Sequence, residues 1–408
     1  MTSRRRFLTA GAAGTLLARS AGAAKTELNS EVEARIARHD LHGLTKEDLP
    51  TPALIIDEAL FEKNLHTMAA HNKATGLKLR AHVKIHKCPE ISKRQIALGA
   101  NGVCCATTAE CELLIGSGVH GVLHTCQPAG RNQVARTVAL ARRDPTFTGV
   151  LDDPITVDAL EEALAAARVK MNVIVDVYAG LDRQGCPPGE TALRLAQKVD
   201  QSKHMKLAGI MGYSGGASHT HGWEARKKKS TDDVAAMLET VALCRKSGLP
   251  VEIITGGSTG TYNIDTENHL TELQAGSYIF MDTLYRQIGG KNDEHVYSDF
   301  EPALSVLTTV ISKTHPNKCA VDYGNKALLR TTDQVKGRPG VKIESGGAEY
   351  GMLLWNEGDR DIKLAERVEI YPSNLDTSTN VYDRYYVVRG DSVVDAWPIM
   401  GRAGAAQR

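Results

Sequence analysis

The chain has 408 residues, 42% of them hydrophobic and 5% aromatic, with 37 glycines and a formal net charge of +1. That is ample apolar material for two domains, or for one barrel plus an addition. The near-zero charge gives no electrostatic case for binding nucleic acid or an acidic surface, and so few aromatic residues argue against a stacking platform for single strands.

In chain order, the first element reads as a targeting segment. "SRRRFLTAGAAGTLLARSAGAAK" has a basic start, a run of small apolar residues and "AGA" before Ala24. That is the layout of a cleavable signal. Ser3, Arg4, Arg5, Phe7 and Leu8 give it twin-arginine character. Residues 1–23 are therefore expected to be removed, leaving a folded protein exported to the periplasm. The apolar run is too short to predict a membrane span, so no stable membrane insertion is expected.

A helical pattern, "EALFEKNLHTMAAHNKATG", precedes the opening strand at 79–84. Then come "GVCCA", "GVLHT", "FTGVLDD", "NVIVDVYAG", "LAGIMGYSGG", "VEIITGGSTG" and "LQAGSYIFMD", mostly separated by helical segments. Alternating strands and helices over about 230 residues predict a (β/α)8 barrel, with a doubly wound sheet as the alternative. Beyond residue 290, "ALSVLTTVISK", "KCAVDYG", "RVEIYPS", "RYYVVRG" and "SVVDAW" are strands without long helices between them, which predicts a separate β domain. The expected domains are a barrel over 50–285 and a C-terminal β domain over 286–408. None of the eight cysteines shows C-x-x-C spacing. Most read as small core residues.

Within the first strand, "RAHVKIHK" alternates basic and apolar residues, placing His82, Lys84 and His86 on one face. On the barrel reading Lys84 lies at the C-terminal strand end, where such barrels keep their active sites. A lysine there is a candidate for Schiff-base catalysis, with burial and cations such as Arg80 favouring its neutral form. Taken alone, the pattern also fits a basic, solvated strand edge. "TGGSTGTY" at 255–262 follows the strand "VEII", and its backbone N–H groups suit a phosphate. A Schiff-base lysine and a phosphate cradle in one barrel suggest pyridoxal phosphate.

These segments, with "TPALIID", "VDVYAGLDRQG", "GYSGG", "ELQAGSYIFMD", "AVDYGNKAL", "YPSNLDTSTNVYD" and "WPIMGRAG", resemble in content and order the D-threonine aldolase and D-serine dehydratase family. The layout is most similar to its 3-hydroxy-D-aspartate aldolase branch. The resemblance spans roughly residues 50–403. It implies an alanine-racemase-type barrel with an antiparallel β domain, a homodimer, and Lys84 as the catalytic Schiff-base residue. It also implies Gly257, Thr259 and Gly260 at the phosphate and Tyr213 beside the cofactor ring. Arg183 would contact cofactor or substrate carboxylate, His82 would pack near the cofactor, and Ser277 and Tyr278 would close the phosphate end.

Two positions depart from the family pattern. Its metal pair is a histidine followed two residues on by aspartate or cysteine; here Asn374 stands for the histidine and Asp376 is kept. Tyr350 stands where a histidine follows an acidic residue, with Glu349 retained. An amide oxygen beside a carboxylate suits a hard ion such as magnesium or manganese, weakly bound, or no metal at all. The favoured function is aldol cleavage of D-configured β-hydroxy-α-amino acids. Alternatives are dehydration of the same substrate class, racemisation or epimerisation, and cofactor binding without turnover.

Overall fold

The computed structural model describes residues 28–356 and 362–402. The signal-like segment 1–23 lies outside them. The first strand, β1 (Ala53–Asp57), is followed by the helix Glu58–Thr75. Eight strands then close into a parallel barrel: β2 (Lys78–His82), β3 (Gly102–Cys105), β4 (Val122–His124), β5 (Thr148–Leu151), β6 (Met171–Asp176), β7 (Met205–Gly212), β8 (Ile253–Gly256) and β9 (Glu272–Leu273). The barrel reading holds over the doubly wound alternative.

Period-two alternation decides which side chains fill the barrel. Cys104, Leu123, Val150, Ile174 and Met211 form a small cluster of their own. Their neighbours Val103, Cys105, Val122, Leu151 and Val175 join a larger cluster with helix residues such as Leu114, Leu160 and Val241. The eight cysteines are free, and all except Cys126 are buried.

Closure falls to the two-residue strand β9, in register with β2 through Lys78 and Leu79. Arg80 Nε meets Glu272 Oε1 at 2.8 Å, both side chains buried. Arg80 also donates to the Gly121 carbonyl. It therefore ties three strand ends together rather than acting on Lys84.

The second unit is a nine-stranded sheet built around Leu304–His315. Its pairings are antiparallel except where β1 runs parallel to Arg384–Arg389. β1 thus corrects the expected boundary at residue 50, since "ALIID" is a central strand of the other sheet. Leu54, Ile55 and Ile56 are buried, as a strand covered on both faces requires.

Candidate active site

The strand expected over 79–84 stops at His82. There the His82 Nδ1 accepts the Lys84 N–H at 3.4 Å, and residues Val83–Ile85 form a 3-10 turn. A side chain bonding its own backbone two residues on competes with a sheet ladder. Lys84 is therefore at the strand exit, on the turn, and His86 does not share its face. His86 is buried, accepts the Cys88 N–H at 3.1 Å and is pushed down to about 3 by burial and then by Lys87.

Lys84 opens into a cavity of about 640 Å³ at the C-terminal ends of the barrel strands. His82, Arg183, Tyr213, Gly257, Thr259, Ser277 and Asp376 line it too. Gly260 and Tyr278 do not. An added Cβ on Gly260 would strike the Ser218 carbonyl, so that glycine permits a close approach. Tyr278 is buried, its hydroxyl accepting from Gln95 Nε2 at 3.0 Å and its N–H donating to Thr259 Oγ1 at 3.0 Å. It supports the cavity wall from behind.

Asp376, on the short helix Leu375–Ser378 of the β domain, places Oδ2 3.5 Å from Lys84 Nζ. Burial would lower the Lys84 ammonium, but Asp376 and then Tyr213 outweigh it and the net direction is up. This reverses the expectation that the surroundings favour the neutral amine. The Tyr213 ring is near two cations, Lys84 Nζ at 6.0 Å and Arg183 Cζ at 5.8 Å from its centroid. Arg183 has no ion-pair partner among the described residues. His82 is pushed far down, by burial first and then by Lys84, and stays neutral.

Lys87 staples the two units together. It is buried and donates to the carbonyls of Lys84 and Asp376 and to Thr379 Oγ1. One side chain thus fixes the turn carrying Lys84 against the helix carrying Asp376.

The glycine-rich turn after β8 suits a phosphate. Among the described residues, the N–H groups of Gly257, Thr259 and Gly260 donate to no protein acceptor. The Thr259 carbonyl is held by the Tyr297 hydroxyl at 2.7 Å. A trans peptide points its N–H opposite its carbonyl, so this bond aims the Gly260 N–H away from Tyr297. Gly257 has φ +74, and an added Cβ would meet Asp265 Oδ2. At Gly276 a Cβ would lie 2.8 Å from the His82 carbonyl. Free donors, a lysine amine and walls that exclude a methyl group fit a phosphorylated aldehyde cofactor.

The metal pair does not fit. The Asn374 Oδ1 caps its helix, accepting from Thr377 N at 3.2 Å and Thr377 Oγ1 at 3.0 Å. Asp376 turns Oδ2 toward Lys84 and leaves Oδ1 buried without a protein partner, a single carboxylate with no second ligand beside it among the described residues. Among the described residues no group of three His, Cys, Asp or Glu side chains is arranged to hold a metal ion. Tyr350 and Glu349 lie away from the cavity: Tyr350 is exposed, and Glu349 pairs with Lys326.

The cavity also contains Asp176, His219, His221, Gln274, Asp282 and Tyr285, none of them singled out by sequence. Burial pushes Asp176 and Asp282 up to about 7. Asp176 ends β6, so its place in "NVIVD" was a usable signal. His219 is pushed down by burial and then Lys84. It sits in a loop that no motif marks.

A closed parallel barrel, a lysine at the exit of its first strand and a phosphate turn at the exit of its seventh define a pyridoxal phosphate barrel enzyme. The chain belongs to the family described as alanine racemase, N-terminal domain, which matches residues 56–284, and residues 303–388 match the putative serine dehydratase domain. It is 30% identical to a 3-hydroxy-D-aspartate aldolase of Paracoccus denitrificans, over 89% of this chain and 94% of that protein. It is 32% identical to a D-threonine aldolase of Arthrobacter sp., over 86% and 92% respectively. The solved structure of a D-threonine aldolase from Filomicrobium marinum superposes with a TM-score of 0.82 at 34% identity, covering 87% of this chain and 96% of that one. The protein is a pyridoxal-phosphate-dependent lyase.

Proposed function

We propose that the protein cleaves D-configured β-hydroxy-α-amino acids by a retro-aldol reaction. The observation that carries this is Asp376 Oδ2 at 3.5 Å from Lys84 Nζ, which sets a carboxylate beside the cofactor lysine. The aldolase names of the relatives above support it. When bound, pyridoxal phosphate supplies the electron sink for the bond broken at Cα.

The chain's own residues do the rest. Lys84 holds the cofactor. The free N–H groups of Gly257, Thr259 and Gly260 take its phosphate, with Ser277 alongside. Tyr213 packs against the ring, and the Arg183 guanidinium orients the substrate carboxylate. Asp376 accepts the β-hydroxyl proton at its carboxylate, so no step is routed through a metal. Tyr350 and Glu349, which the fold leaves outside the cavity, cannot serve as that base.

Dehydration is the second reading, favoured by the match of residues 303–388 to the serine dehydratase domain. A panel of D- and L-β-hydroxy amino acids, assayed separately for aldehyde, ammonia and inversion, tests both. Aldehyde from D substrates supports the aldolase, and ammonia would replace it with the dehydratase. Inversion alone would mark a racemase, and silence in all three a binding protein.

We further propose that the protein is exported by the twin-arginine route and works as a homodimer. The "SRRRFL" start supports the first, and the family resemblance the second. Unchanged export after Arg4→Lys with Arg5→Lys would exclude the route. A monomer in light scattering would exclude the dimer.

A further inference from the structure

Arg226 is fully buried on the helix Trp223–Lys246. Its guanidinium bonds only to backbone carbonyls. Nε donates to Gly260 at 2.8 Å, Nη1 to Thr220 and Ile288 at 2.9 Å each, and Nη2 to Gly289 at 2.7 Å. The rings of Trp223 and Tyr297 lie 5.7 and 5.5 Å from its Cζ. No carboxylate stands within ion-pair distance among the described residues. A buried charge is costly unless it is compensated. Here carbonyl dipoles and ring faces solvate it, and Asp299 acts on it only from beyond ion-pair distance.

Its four acceptors belong to three segments of the cavity wall. Gly260 continues the phosphate turn, Thr220 lies between His219 and His221, and Ile288 and Gly289 follow Tyr285 and Gln287. Two acids flank the turn: Asp265 accepts from Thr261 Oγ1 at 2.6 Å and Ser230 Oγ at 3.0 Å, and Asp299 accepts from Tyr262 at 3.0 Å and Asn263 at 3.3 Å. Burial pushes Asp265 up, to about 6.

We propose that Arg226 is a positioning residue whose charge, held in no ion pair and set behind the glycine-rich turn, makes the cavity select a phosphorylated cofactor over its dephosphorylated form. The proposal rests on the pyridoxal phosphate reading above and adds a residue that never touches the ligand. Bracing and charge are separable. Loss of the brace, the Gly260 contact included, falls on Arg226→Lys and on the neutral variants alike. Loss of the charge weakens the phosphorylated ligand selectively.

The test titrates full-length wild type, Arg226→Lys, Arg226→Gln and Arg226→Met with pyridoxal phosphate and with pyridoxal. Binding is followed by absorbance of the lysine-linked chromophore, and folding by circular dichroism. In a folded neutral variant the preference for the phosphate form should fall about tenfold or more, as loss of one low-dielectric charge predicts. Arg226→Lys should keep the preference within about threefold while binding both ligands less tightly. An unchanged preference in a folded neutral variant overturns the proposal. So does a loss in Arg226→Lys as large as in Arg226→Met. If neither neutral variant folds, Arg226→Lys decides: retained preference supports the charge, lost preference refutes it. Failure of wild type to bind either ligand would refute the cofactor reading itself, before any variant is compared.

Discussion

Charges in two regions of this protein are handled in opposite ways. In the β-domain sheet, Glu369 meets Lys46 Nζ at 2.9 Å and Lys336 Nζ at 2.7 Å, and accepts from Ser305 Oγ at 2.7 Å. Its burial would raise its pKa, but Lys336 and Lys46 bring it down to about 2. At the barrel mouth, Arg226 and Arg183 make no ion pair among the described residues, and Asp376 faces Lys84 across 3.5 Å. The sheet satisfies its charges internally, as a scaffold should. The barrel mouth keeps charges whose natural partners are ligands, which is how binding sites trade stability for function. Mutations should therefore separate: large effects on chemistry and small ones on stability at the mouth, and the reverse in the sheet.

The largest expected effect is at Lys84. Lys84→Ala should reduce turnover on the order of a thousandfold or more, since a covalent role has no substitute. Its melting temperature should stay close to wild type. Borohydride reduction of the loaded enzyme should label a peptide through Lys84. The control is Lys87, three residues on, whose amine is already donated to Lys84, Asp376 and Thr379. A label on Lys87 would break the assignment.

Next comes Asp376→Asn, expected to slow turnover about a hundredfold, the usual size of a lost general base. It should leave cofactor binding intact. Without the carboxylate, the main opposition to burial is gone and the Lys84 pKa falls. The neutral amine is the attacking form, so loading of the cofactor at neutral pH should become faster. Loading that slows, or turnover that is unchanged, would remove Asp376 from the mechanism.

How much of this contrast was legible in the sequence depends on range. Lys84 and the "TGGSTG" turn were readable because period-two alternation and glycine-rich strand ends are local signals. Cys104 and Cys105 read as a buried strand for the same reason. What was missed is nonlocal. β1 fell within the expected barrel range 50–285, yet its partners, Leu304–His315 and Arg384–Arg389, lie about 250 and 330 residues away. Arg226 sits among charged residues in "EARKKKS", where nothing local distinguishes a buried guanidinium from a solvated one. The turn at Val83–Ile85 was missed because alternation continues through it, and only the His82 bond to the Lys84 N–H ends the strand.

The sheet supplies the reciprocal test. Glu369→Gln should cost about 2 kcal/mol of stability, because it leaves two lysines short of their shared partner. The sign with pH follows from a folded pKa held below the unfolded one. The stabilisation is fully present above the unfolded carboxylate value and is lost as pH falls toward about 2. The gap between wild type and variant, measured by urea unfolding, should therefore close in acid. Turnover per folded molecule should stay within about twofold of wild type, since a distant scaffold charge leaves the reacting groups alone. A variant that kept stability but lost activity would undo the contrast.

The smallest effect expected concerns Asn374. Its carbonyl oxygen accepts two bonds from Thr377 and so serves the helix Leu375–Ser378. That helix carries Asp376 toward Lys84. Asn374→His removes the cap, a change worth about 1 kcal/mol in ordinary helices. It should loosen Asp376 and lower turnover a few-fold, with no gain from added magnesium or manganese. Wild-type turnover should survive exhaustive chelation within about twofold, because the cap leaves no ligand pair for a metal to share. Activity that vanishes with a chelator and returns with manganese would show that Asn374 leaves its helix to bind an ion. The short helix would then be a switchable ligand rather than a fixed arm, and Asp376 would serve the metal instead of the proton.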